Sequence, residues 1–319
     1  MNMVTNKKNR IVVVGSYNKD ITILTNQLPK KGETVLGELI NSGPGGKGAN
    51  QAVAAARAGA EVRFIANVGM DHNGDEAIEV LIKQGLEVRF IKKDKDLSTG
   101  TATIVVNPQG ENYIVVVPGA NSNLMPQDII QFEHEFSHFD VMLLQLECSL
   151  ETVITAASLA QNNGLKVILN PAPAQNFSIE LLEHINIITP NRVEAELLTG
   201  LKINDEASMN NASTFFHEHG VDSVLITLGA EGVFVSYNGF NELIPAHKVD
   251  VIDSTGAGDV LNGVFAATLN NNFSGLTESA YFASQAATLS VQKVGAQPSI
   301  PYLNEIHAFI KSSSEKIKL

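Results

Sequence analysis

The residues best suited by type and spacing to do chemistry form one stretch, Asp253-Ser254-Thr255-Gly256-Ala257-Gly258-Asp259. Val260, Val264, Phe265 and Leu269 follow at helical spacing, which predicts a helix that begins inside the glycines. The free amides of Gly256, Ala257 and Gly258 would then form an anion site, because unpaired donors converge there with the positive end of the helix dipole. Asp259, in the first turn, has two readings. It caps the helix by complementing the dipole, or it takes the proton of a nucleophile held in front of it.

Other polar groups sit where strands should end. Ile11-Val12-Val13-Val14-Gly15 reads as a central parallel strand. Asn18 and Asp20 follow it, at the end of an open α/β sheet where ligands bind, although Asn-x-Asp is also a common turn. Gly43-Pro44-Gly45-Gly46-Lys47-Gly48-Ala49-Asn50 leads into an Ala-rich helix ending near Gly59. Its glycine spacing resembles a dinucleotide fingerprint but does not directly follow the first strand, and Lys47 precedes Gly48 rather than Ser or Thr, so it is not a P-loop either. What remains is a Gly-rich helix start whose Lys47 and Asn50 suit hydroxyl or phosphate contacts, with close helix packing as the competing reason for the glycines. Glu147 follows the strand Val141–Leu144. Asn191 and Glu194 have capping-box spacing, and a cap is their expected role on sequence alone. Thr227-Leu228-Gly229-Ala230-Glu231-Gly232 ends a strand in a turn able to pack against a flat ring or phosphates. Lys293 to Ser299 is a carbonyl-rich turn.

A scaffold must bring these groups together. Strands are expected at Val62–Val68, Leu86–Ile91, Val141–Leu144, Val167–Leu169, Ile185–Ile188 and Val224–Thr227. Helices are expected at Gly74–Gln84, Glu151–Asn163, Arg192–Thr199, Asp205–His219 and Leu276–Val291. Lys92 to Ser98 reads as a polar break. The alternation argues for a doubly wound, mostly parallel sheet flanked by helices, a three-layer α/β/α single domain over 1–319. Thr101–Val106 and Asn112–Val117 flank Asn107-Pro108-Gln109-Gly110 as a hairpin that interrupts it. This hairpin and the short strands before Asn41 should form a small β-sheet lid from about 18–42 and 99–119. Its apolar face, with Ile104, Val106, Ile114 and Val116, is expected to meet a second subunit, because an exposed apolar sheet is a liability.

Composition narrows the class. The chain is 44% hydrophobic and 18% charged, as a folded domain requires, and its net charge of −12 argues against nucleic-acid binding. Cys148 is the single cysteine, expected as a small buried residue rather than a nucleophile. The polar stretch Met1 to Arg10 precedes only four apolar residues, Ile11 to Val14, too few for a signal peptide or a membrane span. A soluble, cytoplasmic protein with no membrane partner is expected. The histidines lack metal-ligand spacing and are expected at the surface.

Together these residues resemble the ribokinase family of sugar kinases, the PfkB-type carbohydrate kinases. The first family signature looks like Gly45-Gly46-Lys47-Gly48-Ala49-Asn50-Gln51-Ala52 and the second like Asp253-Ser254-Thr255-Gly256-Ala257-Gly258-Asp259. The resemblance runs from Gly15 to Pro301. Gly15 to Asp20, Gln145-Leu146-Glu147, Thr189 to Glu194 and Gly295 to Ser299 look closest to the ribose-phosphorylating members. The resemblance implies transfer from ATP to O5 of D-ribose, with Asp259 as base and Gly256, Ala257 and Gly258 as anion hole. It implies sugar contacts from Asn18, Asp20, Gly46, Lys47, Asn50 and Glu147. Asn191, Thr227, Gly229, Ala230, Glu231 and Gly232 would contact ATP, and Asn191 with Glu194 would organise hydrated Mg²⁺. Asp253, Thr255, Ser290, Lys293, Gly295 and Ser299 match a K⁺ site, against the alternative that Asp253 caps a turn and pairs with Lys293. Where relatives often carry Asn in the adenine pocket, this chain has Ser284. A kinase for fructose, deoxyribose or a nucleoside is the alternative within the family, and a non-catalytic sugar sensor the alternative outside it. Phosphoryl transfer needs positioning and charge stabilisation rather than covalent catalysis, which suits these residue types.

Overall fold

Four consecutive β-branched residues, Ile11 to Val14, favour a strand covered on both faces. They form β1 (Arg10–Val14), parallel to β4 (Glu61–Gly69) on one side and β8 (Val141–Leu144) on the other. The structure, a computed structural model, describes residues 8–269 and 275–316. Of the polar N-terminal stretch, residues 1–7 lie outside the described residues.

The main sheet continues outward from β4 to β5 (Ile91–Asp94). From β8 it runs through β9 (Lys166–Leu169), β10 (Ile187–Ile188) and β11 (Ser223–Thr227), all parallel. The antiparallel strands β12 (Val233–Tyr237) and β13 (Phe240–Ile244) close that edge of the nine-stranded sheet. Alternate residues feed two cores. Ile11 and Val13 pack with α1 (Lys47–Arg57), α2 (His72–Lys83), α8 (Ala257–Thr268), α9 (Leu276–Ser290) and α11 (Leu303–Lys316). Val12 and Val14 pack with α3 (Pro126–Ile130), α4 (Glu133–Phe136), α5 (Leu150–Asn162), α6 (Arg192–Thr199) and α7 (Glu206–Glu218). The doubly wound three-layer expectation therefore holds. α1 and α8 lie unusually close: a Cβ on Gly263 would collide with the Gln51 carbonyl and the Ala54 methyl.

The second sheet has the order β3-β2-β6-β7, built from β2 (Asn18–Thr25), β3 (Gly37–Gly45), β6 (Gly100–Val106) and β7 (Asn112–Val117). It leaves the α/β core between β1 and α1 and again between β5 and α3. Register places Asp20, Ala102 and Val116 on one face, with Thr22, Ile104 and Ile114 beside them. On the edge strand β7, Tyr113 to Val117 are all exposed.

Some boundaries differ from the sequence reading. Residues 86–90 make a single bridge, Arg63 to Glu87, and the strand forms instead at Ile91–Asp94. Its polarity has a physical reason: β5 is an edge, where Lys92 and Lys93 reach Asp128 and Asp75 through solvent-facing ion pairs. The strand expected from Ile185 is only Ile187–Ile188, because the Ile185 amide closes a turn on Leu182. The turn from Lys293 contains the short helix α10 (Ala296–Ser299). His217 is half-buried rather than at the surface, with Nδ1 at Val221 O and Nε2 at Ser236 Oγ. Burial pushes the Cys148 thiol up to about 12, which fits an inert side chain.

Candidate active site

The N-termini of α1 and α8 converge beyond the carboxyl ends of β1, β8 and β9. Gly46 precedes α1 at φ 87° and Gly256 precedes α8 at φ 77°, left-handed backbone that favours glycine. A Cβ on Gly46 would lie 2.7–2.9 Å from the Tyr17 and Asn18 backbone, and one on Gly48 would meet Gly15 and Ser16. Close packing thus accounts for these two glycines. Gly258, in contrast, borders open space.

Asp259 is only 7% exposed and accepts hydrogen bonds on both oxygens. Asn50 Nδ2 donates to Oδ2 at 2.9 Å and Gln51 Nε2 to Oδ1 at 3.0 Å. Asn50 Oδ1 is buried without a partner. Glu147 accepts from the Lys47 amide at 2.9 Å and from the Ser16 hydroxyl. Asn121 Nδ2 donates to Asn18 Oδ1 at 2.9 Å, and the same side chain brackets the Tyr17 N–H and C=O. Asp20 is pushed up to about 7, first by burial and then by Glu147 and Asp259, with Lys47 opposing. Burial alone would lower the Lys47 ammonium, but Asp259, Glu147, Glu194 and Asp20 together hold it above its ordinary value. One cation is thus held among four carboxylates.

A cavity of about 190 Å³ lies between Lys47, Asn191, Glu194, Thr227 and the α8 start from Gly256 to Asp259. Asn191 and Glu194 form the capping box of α6: Glu194 N donates to Asn191 Oδ1 at 2.9 Å and Asn191 N to Glu194 Oε2 at 2.8 Å. The cap reading is therefore realised, and it leaves Asn191 Nδ2 and Glu194 Oε1 without a role in it. Burial, with a smaller push from Asp259, raises the Glu194 carboxyl against the Asn191 amide and Lys47.

Next to it opens a larger cavity of about 530 Å³, sharing Thr227, Ser254, Ala257 and Gly258. Its walls include Gly229, Ala230, Gly232 and Ser284, with Val233, Leu261, Ala287 and Val291 supplying flat apolar surface. Glu231 departs from this set. Its carboxylate is exposed and turned to Arg192 at 2.6 Å.

On the other side of the α8 turn, Asp253 Oδ1 accepts from Thr255 N at 2.9 Å and Oδ2 from Gly295 N at 2.8 Å. Burial would raise this carboxyl, but the Thr255 and Gly295 donors hold it below its ordinary value. Lys293 pairs with Glu305 at 3.1 Å, so the alternative pairing with Asp253 is not formed. The Ser290 and Ser299 hydroxyls donate to Ala287 O and Ala296 O, each at 2.8 Å, leaving oxygen lone pairs available.

Three participants escaped the sequence reading. Asn170 stands at the end of β9, so the strand-end signal that marked Glu147 applied to it as well. Gln51 lies inside a quoted motif but was given no task. Asn121 carries no local signal, since its partners are 103 and 104 residues away.

What this arrangement can do is hold a polyhydroxylated molecule near Asp259, with an anion-binding turn between it and a nucleotide-sized cavity. Residues 8–303 match the family described as pfkB family carbohydrate kinase. A ribokinase of Haemophilus influenzae is 44% identical over 301 residues, covering 94% of this chain and 98% of the relative. A ribokinase of Staphylococcus aureus is 39% identical over 300 residues, covering 94% and 99%. The solved structure of Arabidopsis thaliana ribokinase complexed with ribose and ATP aligns at a TM-score of 0.88 and 31% identity, over 96% of this chain and 99% of that one. By sequence and by architecture, this chain belongs to the pfkB family of carbohydrate kinases.

Proposed function

We propose that this protein is an ATP-dependent kinase that phosphorylates D-ribose at O5, giving D-ribose 5-phosphate and ADP. The observation that carries this reading is Asp259, buried and aligned by two side-chain amides at the start of α8, on the border between the sugar side and the two connected cavities. The proton of the O5 hydroxyl passes to Asp259 while O5 bonds the γ-phosphorus and the bond to the ADP oxygen breaks. Amides of Gly256, Ala257 and Gly258 receive the charge that develops on the moving group. Asn18, Asp20, Gly46, Lys47, Asn50 and Glu147 hold the hydroxyls, and the orphaned Asn50 Oδ1 gains the donor it lacks. Tyr17 and Phe64, the aromatic residues nearest in sequence to Asn18 and Lys47, are both buried and unavailable to stack a base, which favours a free sugar over a nucleoside.

ATP occupies the larger cavity, against Thr227, Gly229, Ala230, Gly232 and Ser284, with its phosphates toward Gly258. Mg²⁺ would suit the space beside Glu194, a buried carboxylate whose second oxygen the cap does not use, and Asn191 and Glu194 are the residues that would hold it. When bound, the ion neutralises charge on the phosphates. The Asp253 carboxylate, with oxygens of Thr255, Ser290, Lys293, Gly295 and Ser299, supplies the mostly neutral oxygen set that suits K⁺. The four-stranded sheet closes over the sugar and keeps out water that would otherwise accept the phosphoryl group. Its apolar face, on which Ile104 and Ile114 neighbour Asp20, is the surface for a second copy of the chain.

Steady-state kinetics of the purified protein with ATP and Mg²⁺ on D-ribose, 2-deoxyribose, fructose and adenosine test the assignment. D-ribose is expected to lead in kcat/KM by about tenfold or more, since a site built to bond a hydroxyl rejects an analogue lacking it. Fructose or adenosine outpacing ribose would overturn it.

A further inference from the structure

Behind Asp259, reaching the wall of the smaller cavity at Asn170, runs a chain of buried amides to which the proposed sugar and nucleotide contacts give no task. Gln51 is fully buried on α1. Its Nε2 donates to Asp259 Oδ1 at 3.0 Å and to Asn170 Oδ1 at 3.1 Å, and its Oε1 accepts from Gln145 Nε2 at 2.7 Å. Gln145 and Asn170 stand at the ends of β8 and β9, and Asn170 is itself tied to the Thr189 carbonyl at 3.2 Å. A carboxylate only accepts, so nitrogen must face Asp259, and the Gln145 N–H holds the Gln51 oxygen on the opposite side. Turning the Gln51 amide over would set oxygen against oxygen at Asp259 and Asn170, and donor against donor at Gln145.

We propose that Gln51 is a positioning residue for the transfer: held by Gln145 and Asn170, it fixes the Asp259 carboxylate in the orientation that accepts the sugar proton. With Asn50 on Oδ2 and Gln51 on Oδ1, rotation of the carboxylate would break two charge-assisted hydrogen bonds, the stronger kind. The charged groups that face Asp259 are Lys47 from α1, Asp20 from β2 and Glu194 from α6. Gln51 is the neutral donor that reaches it from the sheet side. This inference rests on Asp259 being the base, and the test separates the two claims.

The experiment measures kcat, KM for ribose and the pH dependence of kcat/KM for Gln51→Leu, Gln51→Glu and Asp259→Asn, with thermal unfolding as a check on the fold. Gln51→Leu is expected to lower kcat about 10- to 100-fold, the worth of a hydrogen bond to a charged group. Its KM for ribose stays near the parent value, a split between kcat and KM that a general loosening of the core would not give. In Gln51→Glu the introduced acid can donate only while protonated, so activity should recover toward acidic pH and fall as pH rises. Should those variants fail to fold, Gln145→Met reads the same chain one step back, with a smaller loss in kcat expected. Inactive Asp259→Asn beside Gln51 variants with parental kcat and parental pH profiles overturns the positioning role alone. Parental kcat and pH profile in Gln145→Met, where that variant is the one read, overturns it equally. An active Asp259→Asn overturns the base assignment and this inference with it.

Discussion

At the scale of single residues, the site depends on how Asp259 is held. Asp259→Asn is expected to cut kcat by about 10²–10⁴, the usual worth of a positioned base, while ribose binding is nearly kept. Steady-state kinetics and calorimetric sugar titration check this, and a variant keeping more than half of the parental kcat would sink the role. The substitution costs more than a charge. It places an N–H where Asn50 or Gln51 already points one, so one of three donors loses its acceptor. Residues of this kind were legible where chemistry is written into a short segment: Asp259 behind its glycines, Lys47 and Asn50 at a helix start. Asn121 was not, because its contribution is a contact across the fold. Asn191 and Glu194 show the intermediate case. Capping and ligand binding ask for the same two residue types at the same spacing, and here both uses can coexist on one pair.

At the scale of elements, Asp253 joins two loops, its partner Gly295 lying 42 residues further along the chain. Each of its oxygens takes a backbone amide, one from the α8 turn and one from Gly295. If a monovalent cation sits on the remaining lone pairs and keeps the anion-binding amides oriented, replacing Na⁺ by K⁺ at constant ionic strength should raise kcat or lower KM severalfold. Asp253→Ala should then abolish that response. If Asp253 only pins the loops, Asp253→Ala lowers kcat alike in both salts, and matched kinetics of the parent in Na⁺ and K⁺ would leave that simpler account standing. The elements themselves were readable wherever apolar periodicity was strong, as in β1 and α8. Periodicity failed at β5, whose two lysines look like a break, because an edge strand has one side in water and needs no apolar run.

At the scale of the whole molecule, two sheets of different character make up the fold: a buried, mostly parallel one whose strand ends carry the candidate site, and a small exposed four-stranded one. The alternation of strands and helices announced the first, and a hairpin out of step with it announced the second. That the two segments share one sheet was expected; that β2 pairs with β6, and in parallel, was not, since some eighty residues separate them and only their register joins them. Tyr113 to Val117 leave an uncharged edge strand open, which should not persist at high concentration. Sedimentation at micromolar protein is expected to show a dimer, and Ile114→Lys with Val116→Lys to return it to monomer; a fully active monomeric parent would refute this use of the sheet. The narrow joint at Gly263 has a further consequence, for descent rather than for catalysis. It sets the spacing between α1, which carries Lys47 and Asn50, and α8, which carries Asp259, and neither Gly263 nor Ala54 has a smaller residue to trade that preserves a side chain there. Lineages diverging toward new sugars should therefore vary the lid and the outer walls freely, while this joint stays frozen or changes only by paired, compensating substitutions.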